Sequence, residues 1–170
     1  MTSLSKELAN KEVRRNNKYN AVVNLLVYGE IDGDESFRGQ KIFPYIKDLI
    51  IFSAMVGKRY NAVEEVEKDN TKIILGTFEG GVGSNRDTKL DQHNIIFMFG
   101  LSTLRDMKYM RDENVDELIQ IFERYSNGGL AIIFSWIRDA AWNPLVLLDK
   151  IVDELKASHK TLTTEISNPF

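Results

Sequence analysis

The sequence predicts a mainly α fold, a compact helical bundle of about five to six helices with a minor β strand or hairpin element. Three observations favour this class. Apolar residues recur at helical spacing in several stretches, as on the buried face of an α-helix. The best strand candidate is residues 72–78 (KIILGTF), a short β-branched stretch bounded by turn residues. The chain of 170 residues is long enough to bury one substantial core.

We expect a single helical domain at residues 17–157. A polar N-terminal arm, frayed or helical, precedes it at residues 1–16, and a flexible, threonine-rich tail follows at residues 158–170. Residues 19–28 predict a short buried helix. Pro44 is suited to the first position of the next helix, which Gly57 would end. Residues 58–70 predict a polar linker or a weak helix.

The centre of the chain, residues 112–141, predicts two helices joined by a glycine turn at Asn127, Gly128 and Gly129. Asparagine and glycine adopt the left-handed conformation that ends helices. The turn would place five candidate partner-binding residues at the tip of a hairpin: Arg124, Tyr125, Asn127, Gly128 and Gly129. Capping and turn formation explain the same residue types without a partner.

Two further helices flank this hairpin. One runs from Asp91 to about Tyr109. The last begins after Asn143 and Pro144 and is amphipathic. Its apolar stripe consists of Leu148, Ile151, Val152 and Leu155.

Composition excludes some classes of site. The net charge of −3 disfavours a dedicated nucleic-acid-binding protein. Without cysteine the chain forms no disulfide and no thiolate metal site, which fits a reducing cytoplasm. The N-terminus lacks the apolar core of a signal peptide, and no stretch is long enough to span a membrane. We therefore expect a cytoplasmic protein.

No motif specifies a reaction, so we predict no catalytic residue, no metal site and no cofactor. His93 and His159 have no partner at metal-binding spacing. Glu154-Leu155-Lys156 has the E-x-K form of some nucleases but lies on a helix, where it is typical of a solvated face. Residues 79–85 lack a phosphate-binding pattern, and residues 32–35 hold only a fragment of a calcium loop.

Basic and aromatic clusters leave two alternatives open. A positive arm that contacts DNA phosphates would use Lys11, Arg14, Arg15 and Lys18. Acidic residues interrupt this stretch, which also fits a solvated arm. A second small basic patch would consist of Arg105, Lys108 and Arg111. The aromatic residues Phe134, Trp136 and Trp142 belong to the core or line a ligand cavity.

Two stretches resemble a known family. Residues 45–57 (YIKDLIIFSAMVG) are similar to the aromatic-x-DL-x-x-F-A-A-x-x-G helix of the small DNA phosphorothioation-associated proteins, often called Dnd system-associated protein 4. Residues 122–130 (FERYSNGGL) resemble that family's F-E-x-Y-A-N-G-G-L signature. The likeness covers roughly residues 17–140. Ser53 and Ser126 stand where the family has alanine, and the last helix and tail look like additions.

The resemblance implies a bacterial setting beside DNA-modification and phage-restriction genes, and it implies no catalytic residues. We therefore expect a non-enzymatic accessory protein that binds larger protein components of a defence system, or a second copy of itself. The alternative is a DNA-binding or regulatory module of the same system that uses the basic arm.

Overall fold

The computed structural model describes residues 11–30, 41–75, 93–106 and 115–167, apart from the side chains of residues 93, 94, 97 and 158–167. Strand β1 (Glu12–Asn16) leads through a 3₁₀ turn (Asn17–Tyr19) into helix α1 (Asn20–Val23), which continues as a π-helical turn (Asn24–Tyr28). Helix α2 (Ile46–Arg59), strand β2 (Asn70–Ile74) and helix α3 (His93–Leu104) follow. Helices α4 (Val115–Asp139) and α5 (Val146–Ser167) complete the order. The predicted mainly α fold with a minor β element is confirmed.

The β element is a two-stranded antiparallel sheet in which Val13 pairs with Ile73 and Asn16 pairs with Asn70. The predicted strand exists but begins at Asn70, and residues 76–78 of the prediction lie outside the described residues. The prediction of a frayed or helical arm is wrong for Glu12–Asn16, which forms β1. Its polar composition indicated a solvent-exposed segment, whereas Val13, Arg15 and Asn16 are buried against the core.

The predicted hairpin at the centre is also wrong, because α4 is one continuous helix of 25 residues. Among the described glycines, only Gly29 has the positive φ that a glycine turn requires. Gly128 and Gly129 instead permit close approach. A Cβ on Gly129 would lie 1.7 Å from the Ser53 carbonyl oxygen of α2, and one on Gly128 would lie 2.2 Å from the Ala62 carbonyl oxygen. The two glycines therefore allow two backbones to contact α4.

Gly57 has the same role on the facing helix. It does not end α2, which continues to Arg59, and a Cβ at Gly57 would lie 2.0 Å from the Tyr125 carbonyl oxygen of α4. The α2 helix begins at Ile46 with Tyr45 as its N-cap, two residues after Pro44. The paired glycines bring α2 and α4 together at the centre of the domain, where Leu49, Phe122 and Leu130 are fully buried.

The other predicted helices are present with shifted ends. Helix α3 is His93–Leu104, and the predicted limits at Asp91 and Tyr109 lie outside the described residues. Helix α5 extends to Ser167, into the segment predicted as a flexible tail. Its predicted apolar stripe packs on the domain only in part, through Ile151, which is partly buried against the core. Leu147 is fully buried, whereas Leu148, Val152 and Leu155 are 46%, 45% and 66% exposed.

Candidate interaction surface

The family-like signature lies in the middle of α4, and its polar residues hold strand β1. Glu123 is 1% exposed. Its Oε1 accepts hydrogen bonds from the Arg14 backbone N–H (2.7 Å) and Nε (3.0 Å). Its Oε2 accepts a bond from Arg14 Nη2 at 2.9 Å. The guanidinium of Arg14 is 41% exposed, so it neutralises the buried carboxylate while still in contact with water.

Asn127 completes the attachment of β1. Its side chain is fully buried, and its Oδ1 accepts a hydrogen bond from the Asn16 backbone N–H at 2.8 Å. Its Nδ2 donates to the carbonyl oxygens of Arg14 (3.2 Å) and Glu123 (2.9 Å). An amide side chain has both the donors and the acceptor that these three partners need.

Asn16 extends the network to the segment that follows α2. Its Nδ2 donates to Glu64 Oε1 at 2.7 Å and to the Glu65 carbonyl oxygen at 3.0 Å. Its Oδ1 accepts from the Glu67 backbone N–H at 2.8 Å. Tyr19 donates its hydroxyl to Glu64 Oε2 at 2.5 Å, and burial together with this bond raises the pKa of Tyr19. Residues 62–67 thus form an ordered linker without helical structure.

The five predicted partner-binding residues do not form a tip. All three residues Asn127, Gly128 and Gly129 are buried on α4, where Asn127 faces β1, Gly128 faces the linker at Ala62 and Gly129 faces α2. Arg124 remains at the surface, where its Nε lies 2.8 Å from Glu65 Oε1. Tyr125 is partly buried, with its ring edge-on to Phe99 at 5.5 Å between centroids. The role of these residues in binding a partner stays a prediction, and only Arg124 and Tyr125 have side chains that reach the surface.

The structure does not gather the basic N-terminal residues into one open patch. Lys11 Nζ lies 2.7 Å from Asp116, and Lys18 Nζ lies 2.9 Å from Glu64 and 2.5 Å from Glu67. Arg14 bonds to the buried Glu123, as described above. Arg15 is 4% exposed, its Nη2 donates to Asn20 Oδ1 at 2.7 Å, and burial lowers its pKa. In the second predicted patch, Lys108 and Arg111 lie outside the described residues.

An open apolar groove, the α2–α5 groove, lies between those two helices, with a cavity of about 260 Å³. Its apolar lining consists of Phe52, Met55, Val56, Tyr60, Trp136, Ile151 and Leu155. Trp136 packs edge-on against Tyr60 with 5.8 Å between ring centroids. The sequence placed Trp136 in a core or a cavity, and the structure places it partly buried at this groove. Helical spacing did not indicate that Met55 would be 52% exposed at this groove.

Charged residues at the groove join α5 to α2. Glu154 Oε2 accepts a hydrogen bond from Arg59 Nε at 3.0 Å, and its Oε1 accepts one from the Tyr60 hydroxyl. The Tyr60 bond and the Arg59 bond lower the pKa of Glu154, and the same hydroxyl bond raises the pKa of Tyr60. Glu154 is the acid of the E-x-K sequence, and it lies on helix α5 as predicted.

Two features are absent from the residues that the structure describes. No group of three or more histidine, aspartate or glutamate side chains is placed to hold a metal ion there. No helix in that part of the chain is long and apolar enough to cross a membrane.

No curated protein and no solved structure matches the sequence. The sequence model of the family described as DNA sulphur modification system-associated protein 4 matches residues 12–168. The match begins with β1 and includes α5. The resemblance had indicated that the last helix is an addition to the family, and the match shows that this is wrong. Because the match covers nearly the whole chain, the protein belongs to the DNA sulphur modification system-associated protein 4 family.

Proposed function

We propose that the protein is a non-enzymatic accessory component of a bacterial phage-defence (restriction-modification) system linked to DNA phosphorothioation, acting in the cytoplasm. In this proposal it binds a larger protein of that system through the α2–α5 groove. The family places the chain beside DNA sulphur modification. The observation that carries the binding role is the groove itself, an apolar surface left open between two helices.

The shape and chemistry of the groove favour an amphipathic helix as its occupant. Grooves between helices accept the apolar face of a partner helix, with anchors at helical spacing. Met55 is exposed at this groove, and methionine adapts its flexible side chain to the shape of a partner. Arg59 and Lys150 line the same groove with one acid, Glu154. The excess of positive charge favours a partner helix with acidic residues beside its apolar face.

The other candidate residues already have partners within the chain, which supports the groove as the binding surface. Glu123 and Asn127 form hydrogen bonds to β1 and are buried, which favours a structural role for the family signature over a catalytic one. The pairing of Lys11 and Lys18 with acids reduces the positive potential that the alternative DNA-binding function would need. Of the predicted hairpin-tip residues, Arg124 and Tyr125 remain candidates for a secondary contact.

Co-purification from the native host tests the proposal. The tagged full chain should retain a product of the neighbouring defence genes, identified by mass spectrometry. Met55→Lys should weaken that complex about tenfold or more, because a charge would enter an apolar contact. Ile74→Lys is the matched control: Ile74 and Met55 are each 52% exposed, but Ile74 lies on β2, away from the groove.

Two results would overturn the proposal. One is a Met55→Lys variant that keeps both its partner and phage restriction. The other is salt-dependent DNA binding by the purified chain that weakens in Lys11→Gln and Lys18→Gln, which would support the DNA-binding alternative.

A further inference from the structure

Helix α5 carries an exposed apolar stripe, of which only Leu155 also lies at the edge of the α2–α5 groove. Leu145, Leu148, Val152 and Leu155 are 48%, 46%, 45% and 66% exposed. They are separated by three, four and three residues, so they lie along one side of the helix. The side of the helix that packs on the domain contains the fully buried Leu147. Helix α5 is therefore packed on one side and apolar on the other.

The spacing of this stripe is that of a coiled-coil seam. Apolar residues that alternate at three and four residues occupy the a and d positions of a heptad. The sequence continues the same spacing at His159, Leu162 and Ile166, and the helical backbone continues to Ser167. The sequence pattern thus spans three heptads, with one polar position, a length typical of coiled coils.

We propose that this stripe pairs with the same stripe of a second copy of the chain, with the two α5 helices antiparallel. Charge complementarity carries the choice of occupant and of direction. Asp149 and Lys156 are exposed and follow the seam residues Leu148 and Leu155, so they occupy equivalent heptad positions on one side of the stripe. These two residues of opposite charge make the edge of the stripe complementary to itself when the second helix runs in reverse.

One antiparallel register satisfies both the seam and the charges. In it, Val152 of one copy packs against Leu155 of the other, and Asp149 lies near Lys156. The twofold axis makes each contact occur twice. A parallel pair would bring Lys156 against Ile151 and Asp149 against Pro144, and neither of these residues offers an opposite charge. A shift of the antiparallel pair by one heptad would bring the two Asp149 side chains together.

Charge reversal in the full chain tests this pairing, measured by analytical ultracentrifugation over a range of concentrations. Asp149→Lys alone and Lys156→Asp alone should each weaken the dimer about tenfold, because two attractive contacts become repulsive. The double variant Asp149→Lys/Lys156→Asp should recover the dimer at the concentration that the original chain requires. Val152→Lys should abolish it, and unchanged circular dichroism would show that the monomer remains folded.

A chain that stays monomeric at millimolar concentration overturns the proposal. So does a dimer that persists in Val152→Lys, or one that the double variant does not recover. The test is independent of the proposed function, because Met55→Lys should leave the dimer intact, and Val152→Lys lies outside the residues that line the α2–α5 groove.

Discussion

Single residues in the family signature show how one residue type can have different roles. Asparagine and glycine at 127–129 fit a helix end, yet the structure uses asparagine as a buried donor and acceptor and glycine for close packing. Ser53 and Ser126, which stand where the sequence resemblance led us to expect alanine, lie 3.0 Å apart between their Oγ atoms. Each also bonds to the Ile50 carbonyl oxygen. The two buried hydroxyl groups therefore satisfy each other's hydrogen-bonding capacity.

The substitution Asn127→Ala should lower the free energy of unfolding by about 2–4 kcal/mol, since it leaves the buried Asn16 N–H without its acceptor. Arg124→Ala, three residues earlier, removes only an exposed ion pair and should change stability by less than about 1 kcal/mol. Urea denaturation of both variants measures the contrast. Equal effects of the two substitutions would show that the Asn127 network contributes little.

Helices α2 and α4 cross so closely that their backbones are in contact, with no side chain between them at the crossing. Gly57 and Gly129 face the opposite helix, and a Cβ on Gly129 would lie 2.8 Å from the Gly57 nitrogen. Glycine inside a helix costs about 1 kcal/mol relative to alanine. That loss at each position is offset by the contact area that the close crossing allows.

Gly129→Ala should therefore destabilise the protein by about 3 kcal/mol or more, despite the better helix propensity of alanine, because the helices must separate. Gln120→Ala is the control on the same helix, at an exposed position, and should change stability by less than about 0.5 kcal/mol. Thermal unfolding followed by circular dichroism measures both. A Gly129→Ala variant that is more stable than the original would contradict the close crossing.

For the whole molecule, strand β1 lies before the domain boundary predicted at residue 17. Strand β1 contributes Val13 to the core and partners for Glu123 and Asn127, which lie more than a hundred residues later in the sequence. The family match also begins at residue 12. We infer that residues 12–16 are part of the domain and are not a separable arm.

Removal of residues 1–16 should then lower the stability by about 3–5 kcal/mol, because Glu123 would remain in the core without Arg14. A chain that lacks only residues 1–10 keeps β1 and should melt near the temperature of the intact protein. Calorimetry of the two truncated chains separates these outcomes. Cooperative melting of residues 17–170 at the original temperature would restore the boundary at residue 17.

The sequence by itself determined the mainly α class, the single strand candidate, the positions of most helices and the family. Helical periodicity and a nine-residue signature are local patterns, so they can be recognised from the sequence alone. Only the tertiary structure decided that residues 127–129 lie inside one helix, that β1 is a strand, and that most of the α5 stripe faces outward. Each of these depends on what approaches a residue from a distant part of the chain, such as Arg14 reaching Glu123 or Ser53 meeting Gly129. Local spacing contains no information about such neighbours, because a polar strand is stable only where a buried partner satisfies it.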